Sequence, residues 1–428
     1  MLSGKWQFRL FFFLAATLAL SACADDKKYF EVGLKDSELG KPVMTEAQTA
    51  SIFSAPQILE TYRLENLKPA ARPSKETDEG GYWFSADKHE QLVRTSGNLI
   101  KDEKLNAYVK GIICRLAGPY CPGIRLYIMR IPQLNANVMA NGTTQVWSGL
   151  LLRSRDEAEL AAVLGHEFGH YLRRHTLQSQ RHIIEQTNMA TLYTLGAFLG
   201  GAPAGSVDLM NMATNSSILA FSRNHEREAD GYGLRLLYEN KYDLSAPSEV
   251  WKRAIDEGKR AGQDGPLNPY SSTHPPDLER QAELKRLADV LSPTLISQDK
   301  GRERYLEHIL PHRASFLEVE ITKNPQKASL ALLDILIEDG VRLGELYYFK
   351  GEVFRRSAKK NGAEEALKFY KKAIEAEGAP VEVFRSMALA ELSLQKKEEA
   401  KRNFDIYLQK APSASDAQIV RMQMEALK

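Results

Sequence analysis

The sequence predicts an α+β protein that is mainly helical, with a small sheet in its first half and an all-helical C-terminal part. Two observations support this fold class. Apolar residues recur at helical spacing over long segments, whereas strand-like composition is confined to residues 124–147. Towards the C-terminus, a pattern of small and aromatic residues recurs after 34 residues, a period typical of stacked helix pairs.

The composition is typical of a water-soluble globular protein. Of the 428 residues, 43% are hydrophobic and 26% are charged, which excludes collagen-like and wholly disordered chains and allows two or three domains. Lys and Arg number 57 and Asp and Glu number 55, so the chain is nearly neutral. A neutral chain gives no support for broad contact with a phosphate backbone, and we expect no nucleic-acid partner.

Residues 1–22 have the features of a bacterial export signal. Two basic residues precede the uncharged apolar run 10–20, which is short for a membrane span and typical of a signal-peptide core. A leucine, two small residues and Cys23 follow, and this order resembles a lipoprotein signal. We expect lipidation of Cys23 and, because Ala24 comes next, anchoring to the periplasmic face of a Gram-negative outer membrane. An ordinary secretory signal is the alternative. Residues 23–68 are expected to form a polar tether.

Export would place the remaining two cysteines in an oxidising compartment. Cys114 and Cys121 flank a Gly-Pro pair that can turn the chain back on itself. We therefore expect a Cys114–Cys121 disulfide. Two buried thiols are the alternative, and the short CxxC spacing of many zinc sites is absent.

The first half of the chain predicts helices around a small sheet. Residues 124–131 have strand composition, and Asn141-Gly142 between strand-like arms predicts a hairpin over 138–147. Helical periodicity and capping residues predict helices at 86–116, 156–174, 208–238, 247–261 and 277–290.

Residues 186–207 contain no charged side chain. The segment could be interpreted as a membrane span, but Asn188, Pro203 and four glycines make its hydrophobicity mediocre. We expect a helix followed by a glycine-rich turn near the functional site. Contact with a membrane remains the alternative.

Residues 296–428 are expected to form tetratricopeptide repeats. Three small or aromatic residues recur 34 positions later, which fits pairs of helices that pack closely: Ala366, Tyr370 and Ala373 recur as Ala400, Phe404 and Tyr407. Such domains usually bind peptides or partner proteins. A plain helical bundle is the alternative. The tail from about Ser315 is expected to be separable from the rest.

Residues 165–170 read Gly-His-Glu-Phe-Gly-His within a predicted helix. His166 and His170 are four residues apart, so both imidazoles leave one helix face and can bind one metal ion. Glu167 lies beside them and can accept a proton from water. A pair of surface histidines on an amphipathic helix is the alternative.

A second motif can complete the metal site. Residues 222–230 read Ser-Arg-Asn-His-Glu-Arg-Glu-Ala-Asp, which places Glu226 and Asp230 four apart on a predicted helix. Glu226 can be a carboxylate ligand, and Asp230 can accept the second N–H of a ligand histidine and fix its tautomer. Glu228 is expected to point elsewhere and to be solvated. A structural ion-pair network is the alternative.

HExxH followed by ExxxAD resembles the HtpX/BepA-like zinc metallopeptidases, gluzincins that include the CAAX prenyl endopeptidases. The resemblance covers about residues 88–288, within an expected peptidase domain at 69–295. Further matching pieces are Asn135-Ala136-Asn137, Gly149-Leu150-Leu151, Thr273-His274-Pro275-Pro276 and Arg280. One departure is Ala140-Asn141-Gly142, where relatives often have Pro-Gly-Gly, and it leaves the hairpin tip uncertain.

The resemblance implies one Zn²⁺ ion per chain, bound by His166, His170 and Glu226, with Glu167 as the catalytic base. His274 is then expected near the metal, where it either stabilises the oxyanion or occupies the open coordination position, and Arg280 would orient His274 or its loop. His274 as a loop-shaping residue is the alternative. The substrate would add as a strand to the hairpin edge, whose residues are Asn135, Ala136, Asn137, Val138 and Met139. Three further histidines are expected not to be ligands: His175, His182 and His225.

The combined prediction is a zinc endopeptidase that cleaves unfolded or misassembled cell-envelope proteins. The repeats would recruit a client or the outer-membrane assembly machinery. A chaperone or adaptor that acts through its repeats, with a latched protease site, is the main alternative. A zinc-dependent esterase is a weaker one.

Overall fold

The computed structural model describes residues 54–64, 72–200, 206–262, 274, 278–357 and 359–427. The export signal, Cys23 and most of the expected tether lie outside these residues, so lipidation stays a prediction. The described part is mainly helical with one small sheet, and the predicted fold class is confirmed.

Helices surround the sheet in the first part of the chain. They are α1 (Ala55–Thr61), α2 (Asp78–Arg94), α3 (Glu103–Ala117), α4 (Ser148–Arg153), α5 (Glu157–Arg173), α6 (His175–Gly200), α7 (Ser206–Glu239), α8 (Ala246–Arg260) and α9 (Leu278–Leu291). Helix α5 is the central one, with nearly every residue buried against α3, α7, α8 and the sheet. The Asp156 side chain caps its first turn by accepting from the Glu159 N–H at 2.9 Å.

The sheet has three strands in the order β1–β3–β2: β1 (Arg125–Met129), β2 (Ala136–Val138) and β3 (Thr143–Trp147). Strand β1 runs parallel to β3, whereas β2 pairs antiparallel with β3 through the predicted hairpin. The hairpin tip turns at Gly142, which has φ 83° and where a Cβ would lie 2.2 Å from the Gly123 carbonyl oxygen. Asn141 secures the tip by donating to Asp87 at 2.9 Å. Strands β1 and β2 form the two edges of this sheet, and β2 is the edge strand next to the HExxH helix.

The Cys114 and Cys121 sulfurs are joined in a disulfide. Cys114 lies in the last turn of α3, and Cys121 lies in the 3-10 turn Gly118–Gly123 that follows. Gly118, with φ 50°, takes the chain out of the helix and lets the two cysteines meet. The bond closes a short loop between α3 and β1.

Helices α6 and α7 form a long pair beyond the end of α5. Helix α6 begins at His175, well before the predicted segment 186–207, because Arg174 adopts a left-handed conformation that ends α5. The pair exposes large apolar side chains: Ile184, Met189, Leu192, Tyr193, Leu195, Met212 and Leu219. Among the described residues, no helix combines the length and the apolar character needed to cross a membrane. The predicted glycine-rich turn falls on residues 201–205, which lie outside the described part.

The C-terminal part consists of helices that each pack on the next. They are α10 (Arg302–Lys323), α11 (Gln326–Glu338), α12 (Leu343–Arg355), α13 (Gly362–Glu375), α14 (Glu382–Ser393), α15 (Lys397–Lys410) and α16 (Ala417–Glu425). The recurring small and aromatic residues identified in the sequence are all buried, and Gly351 packs so closely on Tyr370 that a Cβ would lie 2.4 Å from the ring. Their classification as tetratricopeptide repeats stays a proposal.

The structure argues against the predicted separable tail at Ser315. Ser315 lies within α10, which packs on α3, α4 and α5 of the first part. The fully buried Glu320 of α10 pairs with Arg153 at 3.2 Å, and the Tyr305 hydroxyl donates to the Leu151 carbonyl at 2.5 Å. One hydrophobic core runs through both parts, from Ala55 to Ala390. The sequence pattern predicts C-terminal helices but not what the first of them packs against.

Candidate metal centre

Helices α5 and α7 cross closely enough to bring the two predicted motifs together. Glycines occupy the crossing point: a Cβ at Gly233 would lie 3.0 Å from the His166 backbone nitrogen, and a Cβ at Gly169 would lie 3.0 Å from the Ala229 carbonyl oxygen. Small residues at such a point let two helix backbones approach. The HExxH face of α5 therefore lies directly against Glu226 on α7.

Four side chains converge at this crossing. The donor atoms of His166, His170, Glu226 and His274 all lie within 4.8 Å of one another. The Nε2 atoms of the two HExxH histidines are 3.0 Å apart. Glu226 places one carboxylate oxygen 3.4 Å from His166 Nε2 and the other 3.3 Å from His170 Nε2. The three sequence-predicted metal ligands are thus brought together.

The donor set fits zinc. Three imidazole nitrogens and one carboxylate oxygen are ligands that Zn²⁺ prefers, and four donors match its usual coordination number. The cluster is largely buried, with His166 4% and Glu226 5% exposed. Burial raises the pKa of Glu226, but electrostatic interactions with the neighbouring imidazoles and Arg280 outweigh burial and hold that pKa well below its usual range. A buried carboxylate that stays ionised among imidazoles is suited to binding a cation.

The two histidines of the motif have opposite electrostatic surroundings. Burial lowers the pKa of His166, yet its contacts with Asp230 and Glu226 outweigh burial and raise it to about 9. Burial dominates at His170 and lowers its pKa to about 3. A metal ion would therefore compete with one proton on His166, while His170 is already neutral.

Asp230 lies where the sequence predicts. Its Oδ1 is 2.8 Å from His166 Nδ1, on the ring edge opposite the donor cluster. Arg280 binds the same carboxylate with two hydrogen bonds of 2.8 Å, and its third nitrogen lies 2.9 Å from Glu226. Among the described residues, Arg280 thus holds the two carboxylates of α7, and its expected role in orienting His274 or its loop stays a prediction. Its guanidinium packs over the Trp251 ring, 4.8 Å from the centroid.

Glu167 and His274 face each other across the cluster. His274 Nδ1 lies 2.9 Å from Glu226 and 3.3 Å from His166 Nε2, while its Nε2 lies 3.5 Å from the Glu167 carboxylate. Glu167 is buried and lies outside the group of four donors. Of the Thr-His-Pro-Pro motif, only His274 is among the described residues.

The edge strand lies close to the cluster. Asn135 accepts from the Trp147 N–H at 3.0 Å, and the Met139 N–H donates to Thr143 at 2.8 Å, so both ends of the predicted substrate edge are held to β3. In between, Ala136 and Val138 are buried while Asn137 is half-buried. A cavity next to this edge is lined by Val138, Ala140, His170, Tyr171 and Leu177, among others.

Sequence reasoning missed a buried network on the other side of His170. Glu228 was expected in solvent, but it is 3% exposed and pairs with Arg173 and His175. His175 Nδ1 lies 2.8 Å from His170 Nδ1. The left-handed turn at Arg174 separates the two histidines into different helices, so helical spacing could not indicate this contact. His175, His182 and His225 are outside the donor group.

Comparison with known proteins identifies this region. Residues 99–288 match the model of peptidase family M48. These residues form an M48 peptidase domain. The M48 domain contains the HExxH helix, strand β2, Glu226 and His274. The match confirms, for this domain, the resemblance to metallopeptidases that the motifs indicated.

Relatives of the M48 domain are named as proteases. The chain is 25% identical over 223 residues to a beta-barrel assembly-enhancing protease of Yersinia pestis, which covers 50% of this chain and 45% of the relative. The corresponding Escherichia coli K12 protein is 23% identical over 225 residues, with the same coverage. The mitochondrial metalloendopeptidase OMA1 of Schizosaccharomyces pombe is 33% identical over 160 residues, 36% of this chain and 44% of the relative. The chain thus spans about half the length of the curated relatives it matches.

Proposed function

We propose that this chain is a zinc endopeptidase. The observation that carries the proposal is the buried group of His166, His170 and Glu226, with the Glu167 carboxylate beside it, inside an M48 domain. Two imidazoles and a carboxylate are a common ligand set of catalytic zinc sites. We assign one Zn²⁺ ion per chain to these three ligands.

Zinc would supply Lewis acidity, which polarises a carbonyl group and makes water acidic enough to lose a proton near neutral pH. Glu167 accepts a proton from the attacking water and delivers it to the leaving amine. Its burial keeps bulk water away from this transfer, and its 3.5 Å distance to His274 Nε2 places a second proton-handling group beside it. Asp230 and Arg280 hold His166 and Glu226 in position.

The substrate peptide adds to the free edge of β2. Main-chain groups of an edge strand can pair with an extended peptide whatever its side chains are, which suits an enzyme that cleaves unfolded segments. The cavity lined by Val138, Ala140 and His170 would receive a side chain next to the scissile bond. The substrate residues of the edge are those predicted from the sequence, Asn135 to Met139.

His274 is assigned to restraint of the enzyme. Its Nδ1 lies among the donors of the other three residues, at 2.9 Å from Glu226, which favours the interpretation that it occupies the fourth coordination position. The competing interpretation, oxyanion stabilisation, uses the Nε2 atom that faces Glu167. The two assignments differ in the sign of one effect: His274→Ala raises proteolysis if His274 is a latch and lowers it by about 100-fold if it stabilises the oxyanion.

The clients are proposed to be unfolded or misassembled cell-envelope proteins. Two relatives are named beta-barrel assembly-enhancing proteases, and this name and the lipoprotein-type signal of this chain support a role at the outer membrane. Anchoring by a lipid on Cys23 would keep the enzyme on the periplasmic face. The C-terminal helices would recruit clients or the assembly machinery as tetratricopeptide repeats.

The principal test compares wild type with Glu167→Gln on an unfolded casein-like substrate, using protein made without residues 1–23. The variant should bind zinc like wild type and cleave nothing. Retained cleavage would reject the mechanism. The chaperone or adaptor alternative is tested in cells: if Glu167→Gln supports full envelope integrity, proteolysis is not the main role of the protein.

A further inference from the structure

The buried network beyond His170 has no role in the steps described above. His175 and Glu228 are 2% and 3% exposed, as buried as the proposed metal ligands themselves. His175 Nδ1 lies 2.8 Å from His170 Nδ1, the ring nitrogen that does not face the donor cluster. The contact therefore reaches the back of a proposed zinc ligand.

The positions of the protons in this network follow from the hydrogen-bonding groups. His175 Nε2 lies 3.4 Å from Glu228 Oε2, and an ionised carboxylate can only accept, so Nε2 carries a hydrogen. A neutral His175 ring has a single N–H, and the contact with Glu228 places it on Nε2. His175 Nδ1 is then a bare acceptor, and His170 Nδ1 is the donor in the 2.8 Å contact.

This arrangement leaves the lone pair of His170 Nε2 directed at the donor cluster. We propose that His175 and Glu228 position His170 for metal binding by fixing its Nδ1–H tautomer and its ring orientation. The inference rests on the proposed zinc site and adds two positioning residues to it. Hydrogen-bond partners of this kind hold ligand histidines in many metal sites and raise their affinity for the metal.

Arginines complete the networks behind both HExxH histidines. Arg173 Nε donates to Glu228 Oε1, so the carboxylate behind His175 is itself neutralised and held. Behind His166, Arg280 holds Asp230 in the same way. On the side away from the donor cluster, His166 contacts Asp230 directly, whereas His170 is linked to Glu228 through His175.

His225 provides a matched control. Its ring stacks on the His175 ring with centroids 4.1 Å apart, and it is equally buried at 2% exposure. Its nitrogens contact Ser179 at 3.1 Å and Gln178 at 3.1 Å. His225 is absent from the donor group, so replacing it removes a buried imidazole from the same layer without breaking the connection to His170.

The test measures metal binding, not catalysis. Metal-free protein is titrated with zinc in competition with a chromophoric chelator, and separately with Co²⁺, whose visible spectrum reports ligand geometry. His175→Leu should weaken zinc binding by about 10- to 100-fold and alter the cobalt spectrum. His175→Asn should restore most of the affinity, because its Oδ1 can take the place of Nδ1 as acceptor. His225→Leu should bind zinc like wild type.

The outcomes separate this inference from the proposed function. Wild-type affinity and an unchanged cobalt spectrum in folded His175→Leu would overturn the positioning role and leave the zinc site intact. Equal losses in His175→Leu, His175→Asn and His225→Leu would also overturn it, since general packing would then explain the effect. A wild-type protein that bound no zinc would reject the metal site itself. Should His175→Leu fail to fold, Glu228→Gln decides: weaker binding supports the proposal and unchanged binding overturns it.

Discussion

At the residue scale, the spacing within the two helical motifs was enough to predict the proposed ligands His166, His170 and Glu226. It was not enough to predict the side chains that hold these ligands in place. The i, i+4 rule places His166 and His170 on one helix face whatever the rest of the fold does. Glu228 is close to Glu226 in sequence, but its burial depends on Arg173 and on the crossing of α5 with α7, which no local pattern contains. Arg280 was found by resemblance, and its contacts with Asp230 and Glu226 likewise depend on the packing of α9 against α7.

The ligand assignment predicts a clear division among alanine variants. Removal of one of the three donors, in His166→Ala, His170→Ala or Glu226→Ala, should weaken zinc binding by at least about 100-fold. Each change also leaves buried polar partners without a hydrogen bond, which adds to the loss. Glu167→Ala should keep zinc and lose cleavage. Zinc content after dialysis checks this division, and a zinc-free Glu167→Ala protein would show that Glu167 is a ligand.

At the element scale, the site depends on how closely α5 and α7 approach. Gly233→Ala places a Cβ 3.0 Å from the His166 backbone, so the helices must separate by a few tenths of an ångström. We expect a loss of about 1 to 3 kcal/mol in the free energy of unfolding and weaker zinc binding. The matched control is Gly111→Ala on α3, where nothing lies within 4 Å and the change should be neutral or stabilising. Equal behaviour of the two variants in thermal unfolding would refute the argument.

Glu90 is one of the carboxylates that hold the sheet to α2. Arg125, through hydrogen bonds to Glu90, is the main cause that lowers the pKa of Glu90 to about 2, and the Tyr127 hydroxyl adds to it. Because the folded pKa is depressed from 4.5, this stabilisation is full above about pH 5 and is lost as the pH falls towards 2. Glu90→Gln should cost about 1 to 2 kcal/mol at pH 7, after allowance for the partly exposed Arg125.

Denaturant unfolding of wild type and Glu90→Gln at a series of pH values checks this expectation. The difference in unfolding free energy should shrink steadily below pH 4.5. A difference that is the same at pH 3 and pH 7 would mean that the ionised carboxylate does not stabilise the fold.

At the scale of the whole molecule, the C-terminal helices were predictable, but the continuity between the two parts was not. The 34-residue recurrence of Ala366, Tyr370 and Ala373 depends on contacts between neighbouring helices, so the sequence contains it. The packing of α10 on the M48 domain joins residues far apart in the chain, such as Arg153 and Glu320, and lacks a periodic signature. The core consequently extends from one part into the other.

Truncation tests this continuity. A chain that ends before Ser315 loses Phe316 and Leu317, both almost fully buried, and leaves Arg153 without Glu320. Its M48 domain should lose more than about 4 kcal/mol of stability, judged from the usual cost of two large core deletions.

A chain that ends after Gly340 keeps α10 and α11 and should retain zinc binding and cleavage of a small unfolded substrate, while client recruitment fails. Thermal unfolding of both chains makes the comparison, and an unaltered melting temperature in the shorter one would contradict it.

The central claim is that the His166–His170–Glu226 cluster is a catalytic zinc site served by Glu167. It is tested most directly by adding zinc stepwise to metal-free protein and measuring bound zinc and peptide cleavage in the same samples. We predict that both rise together and saturate at one zinc per chain, and that Glu167→Gln reaches the same zinc content with no cleavage. Cleavage by the metal-free protein, or by the zinc-loaded Glu167→Gln variant, would contradict the account.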